Sequence, residues 1–361
     1  MARILIVAAR RAGRAIDYAP DVPVVSRHLE RHGYDTPAAT TASALVRLAE
    51  ADAVLAIGGV LEAAAARVLA GRVGVPYGVV YQRIECSSSR GAHAAGPFVS
   101  TTIAAWAARR AVATGIVAET FRRPLERAGV EPSRIRRLPL AVTGGFELGM
   151  DRRASPNVLG GDGEPAGVLL IGDGQGIRAW AAALKRRRDV RLIAAHPSAG
   201  GIAWTLGRAK QGGPTAREYV RAMAAADVIV LCQPADVALP PPPELPLCLA
   251  SGRPIIVAAP AGSEVAREAR DHSAALIALP ADLCDVIACI DRLRADAGLR
   301  SYVTEAAQRW AAASFTMEGA LAAYERFVTA LLAEGGRAPV HSLITHANES
   351  AQRRSERRRA A

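Results

Sequence analysis

Lysine is almost missing from this chain. It occurs only at positions 185 and 210, so nearly all of the 45 basic residues are arginine. The net charge of +11 sits largely in local runs such as RRPLER, SRIRR, KRRR and the terminal QRRSERRR. Such runs read either as a solvated, codon-biased surface or as the footprint of an anionic partner. No recognition motif for nucleic acid accompanies the charge, so no specific nucleic-acid partner is expected. A peripheral contact with anionic lipid is permitted and not required. Aromatic residues are also scarce, at 4%, which leaves Ala, Val and Leu to fill the core. The cysteines, Cys86, Cys232, Cys248, Cys284 and Cys289, are odd in number and form no CxxC pair. That excludes a disulfide framework or a Cys-ligated zinc, makes small apolar core residues of them, and points to a reducing cytoplasm. No apolar run approaches the roughly 18 residues of a membrane span. ILIVAA near the N-terminus is too short for a signal core and reads as a first buried strand. Histidines and acids are scattered without ligand spacing, so no metal is expected. GxSxG and Walker patterns are absent.

What is present is alternation. RILIVAA, ADAVLAIGG, VPYGVVY, ATGIVA and SRIRRLPLAV read as strands. Between them lie helical stretches: VVSRHLERHGY, stopped by Gly33; EAAAARVLAGRVG; TTIAAWAARRA; and TFRRPLERAG, capped by Thr120 and ended by Gly129. A Gly-, Pro- and Asp-rich stretch then breaks the rhythm, which resumes with GVLLIGDGQG, DVRLIAAHP, DVIVLCQ and PIIVAAP and closes on three long helices. Strands separated by helices imply βαβ units and parallel sheets. The expected organisation is an α/β domain over 1–145, a linker over 146–165, a second α/β domain over 166–334, and a basic, disordered tail over 335–361. Two such doubly wound, Rossmann-like domains face each other across a cleft at the carboxyl ends of their strands, where ligands bind.

Three stretches carry a family resemblance. LASGRPIIVAAPAGSE, from Leu249 to Glu264, resembles the A-S/A-G-x-P-V-V and glycine-turn-Glu pattern of retaining glycosyltransferases of family 4. SFTMEGAL is similar to that family's F-S/T-W-E signature, and WAARRAVATGIVAETFRRPLERAGVEPSRIRRLPLAV to the end of its first domain. The matches keep the family's order over most of residues 1–334. The resemblance implies a GT-B fold, a nucleotide-diphosphate sugar as co-substrate, an acceptor hydroxyl, transfer of a hexose-type sugar with retention, and no metal or other cofactor.

The resemblance also implies site positions. The diphosphate needs cations or helix N-termini, because negative charge grows on it in the transition state. The family supplies an Arg and a Lys just after the first strand of the second domain. Here Asp173 and Gln175 fall on those positions, and neither is a cation. Gly172, Gly174, Gln175 and Arg178 are the donor-binding candidates in this turn, with Lys185 as a further cation. The family's two glutamates, with seven residues between them, fall on Leu239 and Leu247; a shifted register offers Asp236 and Glu244, also with seven between. These two are the catalytic candidates, and Glu244 is equally readable as a carboxylate favourably placed at a helix N-terminus. Gly262, Ser263 and Glu264 form the glycine turn expected to face the donor, with Glu264 also readable as a helix-start charge. On the acceptor or phosphate side stand Gly13, Arg14 and His93; His196 is a second strand-end histidine. The leading expectation is a glycosyltransferase. The alternative is a degenerate GT-B-like binding or accessory protein that has lost its donor chemistry, a reading drawn from the missing acids and cations.

Overall fold

The computed structural model describes residues 2–8, 22–39, 51–82, 96–141, 165–172, 175–194, 222–233, 235, 239–280 and 282–334. Residues 146–164 of the expected linker, the basic tail, and the segments holding Gly13, Arg14, Cys86, His93, Asp173, Gly174, His196 and Asp236 lie outside these residues.

The first half contains β1 (Ala2–Ala8), α1 (Val22–Arg31), β2 (Tyr34–Asp35), β3 (Ala38–Ala39), β4 (Ala53–Gly58), α2 (Val60–Val73), β5 (Tyr77–Tyr81), α3 (Gly96–Ala108), β6 (Ala113–Ile116), α4 (Arg122–Arg127) and β7 (Ile135–Arg137). The second contains β8 (Ala166–Gly172), α5 (Gln175–Leu184), β9 (Val190–Ala194), β10 (Val228–Cys232), α6 (Leu245–Ala250), β11 (Ile255–Ala258), α7 (Glu264–Asp271), β12 (Leu276–Ala278), α8 (Leu283–Ala295), α9 (Ala297–Ser314) and α10 (Met317–Glu334). The strand order is β2-β1-β4-β5-β6-β7 in the first sheet, with β3 also beside β1, and β12-β11-β10-β8-β9 in the second. Each described pairing is parallel.

Helices cover both faces of each sheet, so the central strands read as unbroken apolar runs. AVLAIG of β4, AGVLLIG of β8 and VIVLC of β10 are buried throughout. Neighbouring side chains divide between the two layers, as the pleat requires: Leu5, Val7, Val54 and Ala56 pack in one cluster, Ile4, Ile6, Leu55 and Ile57 in another. With so few large side chains, alanines such as Ala63, Ala66, Ala104 and Ala108 let α2 and α3 approach closely. Tyr77 and Tyr81 donate their hydroxyls to the Ala107 and Ala104 carbonyls of α3, at 2.7 and 2.6 Å. Burial pushes the Tyr77 phenol up to about 12 and the Tyr81 phenol higher still, so both remain donors.

The last helix, α10, follows the second sheet in sequence but packs on the first. Tyr324, Phe327, Val328 and Leu331 are buried in the cluster that holds Ile4, Ile6, Val25 and Leu29. Gly78 on β5 makes room for this: a Cβ there would stand 3.0 Å from the Phe327 ring. Complete burial of each such side chain contributes about 1.5–3 kcal/mol.

Three local expectations are corrected. Thr120 does not cap α4: a 3₁₀ turn at Glu119–Phe121 precedes the helix, Phe121 takes the cap position without a side-chain bond, and Thr120 Oγ1 has no partner among the described residues. The strand read from SRIRRLPLAV shrinks to Ile135–Arg137, because Pro132–Arg134 forms another 3₁₀ turn. Cys284 is exposed, whereas Cys232, Cys248 and Cys289 are buried as expected.

Candidate functional site at the strand ends

Parallel strands in both halves bring their carboxyl ends, with the loops and helix N-termini that follow, toward the junction. In the second half this edge is built by β8, β10 and β11. Gly172 ends β8 at φ +143°, and a Cβ on it would lie 2.1 Å from the Cys232 carbonyl oxygen. Close approach of β8 and β10 therefore requires glycine here, whatever binds nearby. α5 starts just beyond, with Gln175 and Arg178 on its first turns, which directs a helix N-terminus to the strand ends.

Gln233 follows β10 and is 5% exposed. Its Nε2 donates to the carbonyls of Leu239 and Pro240 at 3.1 and 3.0 Å, folding the proline-rich loop over the strand end. Its Oε1 has no partner among the described residues, an uncommon state for a buried acceptor. Leu239 thus contributes a backbone carbonyl where the family pattern has an acid. Leu247, the other such position, is buried at 2% in the core beneath α6.

Glu244 is buried at the cap position of α6. Burial raises the neighbouring Cys248 thiol well above its ordinary value, and the Glu244 charge raises it further. Cys248 is therefore a protonated core residue, and no nucleophile. Asp236 lies outside the described residues, so its geometry relative to Glu244 is not on view.

The glycine turn after β11 splits its residues between surface and interior. Gly262 is exposed, with nothing within 4 Å of where a Cβ would stand. Ser263 is fully buried and caps α7, accepting from the Ala266 N–H at 3.3 Å. Glu264, 1% exposed, crosses between the halves: its two carboxylate oxygens accept from the Glu119 and Thr120 backbone N–H groups, both at 2.8 Å. The 3₁₀ turn offers these two donors as any helix N-terminus offers them to an anion. Arg137 at the end of β7 completes the arrangement, 3.2 Å from Glu264 and 2.6 Å from Glu268. Burial raises the Glu264 carboxyl above its ordinary value, with the two N–H bonds and Arg137 opposing the shift. Burial also acts against the Arg137 charge, but the Glu268 hydrogen bond and the Glu264 and Glu119 carboxylates outweigh it and hold the guanidinium protonated.

Beside this latch lies a cavity of about 360 Å³, lined by Val117, Arg137 and Leu140 from the first half and by Leu245, Glu268 and His272 among others from the second. His272 stacks on Trp310 with centroids 4.6 Å apart. The cavity sits where the chain passes between the halves, after Leu140 and again at Phe315.

Gln233 and Arg137 were not singled out in the sequence. Gln233 had a readable signal: a polar residue directly after a buried central parallel strand occupies the ligand edge of such sheets. Arg137 had none, being one cation among many.

No family model matches the sequence, and no curated protein is significantly similar to it. Solved structures are similar in fold. Sucrose-phosphate synthase from Thermosynechococcus elongatus superposes with a TM-score of 0.69 at 14% identity, covering 92% of this chain and 100% of that one. Anabaena HepE in complex with UDP-glucose gives 0.60 at 14%, covering 90% and 99%. UDP-GlcNAc 2-epimerase from Neisseria meningitidis, bound to UDP-GlcNAc, gives 0.52 at 11%, covering 92% and 100%. Two parallel α/β sheets joined across their strand ends, together with these likenesses, make the fold GT-B: two Rossmann-like domains and no closed barrel.

Proposed function

We propose that the chain is a glycosyltransferase that binds a nucleotide-diphosphate sugar between its two halves and moves a hexose-type sugar to an acceptor hydroxyl with retention, as a divergent relative of family 4. The observation that carries this reading is the strand-end edge of the second half. There an open glycine turn at Gly262, the start of α5 and Gln233 Oε1, which has no partner among the described residues, follow adjacent strands of one sheet. It is supported by fold neighbours described in complex with UDP-glucose and UDP-GlcNAc. In this reading the N–H groups of the Gly172–Gly174 turn, Gln175 and Arg178 receive the diphosphate, and Gly262 and Ser263 flank the donor. Asp236 and Glu244 act beside the transferred sugar, and Gly13, Arg14 and His93 serve the acceptor side. The bond from the anomeric carbon to the diphosphate oxygen breaks, the acceptor oxygen bonds to that carbon, and its proton leaves with the diphosphate, so no dedicated protein base is required.

A second reading, a GT-B-like binding or accessory protein, is favoured by Leu239 and Leu247 at the usual acid positions and by the engagement of Glu264 across the halves. Calorimetry with UDP-, GDP-, ADP- and dTDP-sugars, followed by an assay for released nucleoside diphosphate in the presence of candidate acceptor glycans and lipids, separates the two. Binding of one donor that weakens at least tenfold in Arg178→Ala, with nucleotide release, supports transfer. Binding without release supports the accessory reading. No binding of any donor overturns the transfer reading and favours the accessory one.

A further inference from the structure

Although the sequence shows no metal pattern, the fold brings His28, His32 and Glu325 together. His28 lies in the last turn of α1 and His32 just beyond its end, four residues on, a spacing that brings both rings to the same side. Glu325 reaches them from α10. His28 Nε2 lies 3.3 Å from Glu325 Oε2 and His32 Nε2 lies 3.7 Å from the same oxygen. The rings are 4.4 Å apart between centroids, and one ligand atom from each of the three residues lies within 4.8 Å of the others.

Two features separate this cluster from an ordinary surface ion pair. The first is distance. A charge-assisted N–H···O bond is about 2.7–2.9 Å, so both contacts are long for that purpose. Ligand atoms held at about 2.0–2.1 Å from a tetrahedral ion stand about 3.3 Å from one another, which is near the separations found. The second is orientation. His32 Nδ1 lies 2.9 Å from the His28 carbonyl oxygen, which only accepts, so Nδ1 carries the proton and, in the neutral ring, Nε2 is the lone-pair atom. Histidine ligands of metals are oriented by just such a bond from the other ring nitrogen.

We infer that His28, His32 and Glu325 form a binding site for a zinc-class divalent transition ion, with water completing the coordination. Two imidazoles and one carboxylate suit zinc, cobalt or nickel and not the oxygen-seeking magnesium or calcium. The three side chains are 19%, 35% and 26% exposed, so an ion can enter from solvent. None of the residues described at the strand ends takes part. An ion here fastens the final helix, which has crossed back from the second half, to the first helix of the chain. Tyr34 and Thr329 hydrogen-bond at 3.2 Å between the same two regions, so the site adds to a contact already ordered without it.

The test uses the full-length, tag-free chain, stripped with a chelator and titrated with Zn²⁺ by calorimetry and with Co²⁺ by visible absorption. One equivalent of each is expected, with the intense absorption of tetrahedral cobalt and a higher melting temperature, while Mg²⁺ produces no shift. Removing one of three protein ligands in His28→Gln, His32→Gln or Glu325→Gln lowers affinity at least tenfold, the scale seen even for outer-shell partners. A weak octahedral cobalt spectrum, absence of stoichiometric binding, or variants that bind as tightly as the unaltered chain overturns the site. The cobalt spectrum of the unaltered chain decides the matter even where a variant fails to fold.

Discussion

At the strand ends the described residues tie the two halves by charge: the buried Glu264 carboxylate sits on two backbone N–H groups and on Arg137, which also pairs with Glu268. α10 is held to the first half mainly by apolar packing: Tyr324, Phe327, Val328 and Leu331 pack on the first sheet, with Glu325 facing His28 and His32 beside them. The contrast separates a permanent joint from a breakable one. Apolar burial involves no titrating group and is lost only by opening a cavity, so it fixes α10 as part of the first half. The N–H donors that hold a carboxylate can hold another anion in its place. In the proposed function this strand-end contact is the one released when a donor enters, since a diphosphate carries the charge to compete for the same kind of donors.

The largest way to break this comparison is Phe327→Ala. It leaves a void against Gly78 and is expected to cost about 3–5 kcal/mol, read by urea denaturation of the whole chain. A loss under about 1 kcal/mol would mean that α10 is not a permanent part of the first half. Next comes Glu264→Ala, which strands two N–H groups and leaves Arg137 with Glu268 alone; the expected cost is about 1–3 kcal/mol. Here the more telling readout is small-angle scattering. The variant is expected to show a larger radius of gyration than the unaltered chain, and an unchanged radius would remove Glu264 as the latch.

The same residue sets a pH dependence whose sign is opposite to that of a simple salt bridge. The Glu264 carboxyl is raised in the folded, closed state above its ordinary 4.5, so the closed state binds the proton more tightly than an open or unfolded one. Closure is therefore favoured as pH falls into this window and loosens as pH rises through it. The radius of gyration is expected to increase with pH from 4.5 upward, and Glu264→Gln to flatten that dependence. A radius that falls with rising pH would mean that the Arg137 and N–H contacts outweigh desolvation.

Much of the fold was legible because periodicity and turn chemistry agree locally. Buried runs such as VIVLC can only be central strands once helices flank them, and Gly33 and Gly129 end their helices with φ +86° and +85° as a glycine stop requires. The partner of α10 was not legible: its apolar face fits either sheet, and only the completed structure shows which is left uncovered. The site was legible by position more than by role. Glu264 could be placed at the head of a helix, but nothing local states that Glu119 and Thr120, some 145 residues earlier, would supply its donors. Thr120 looked like a cap for the same reason. Its side chain fits the pattern, while the tertiary contact uses its backbone. The metal cluster was hidden likewise, since Glu325 is separated from His28 by 297 residues.

The smallest effect belongs to a charge network outside the cleft, which serves as the control for the latch. Asp189 pairs with Arg187 at 2.6 Å and with Arg294 at 2.8 Å, and its side chain is 37% exposed. The Arg187 hydrogen bond holds its carboxyl down at about 2, against an ordinary 3.8. A depressed folded value contributes stability above the ordinary value, and that contribution is lost as pH falls from 3.8 toward 2. Solvent screening keeps the contribution of such exposed pairs to about 0–1 kcal/mol, so Asp189→Asn should shift the neutral-pH melting point by a few degrees at most and leave the radius of gyration unchanged. Its acid branch should be shallower than that of the unaltered chain. Because this network and Glu264 titrate with opposite sign, a variant carrying only one of the two changes identifies which group a given pH slope belongs to. If Asp189→Asn also altered the radius of gyration, closure would depend on charge across the second half and not on the Glu264 contact alone.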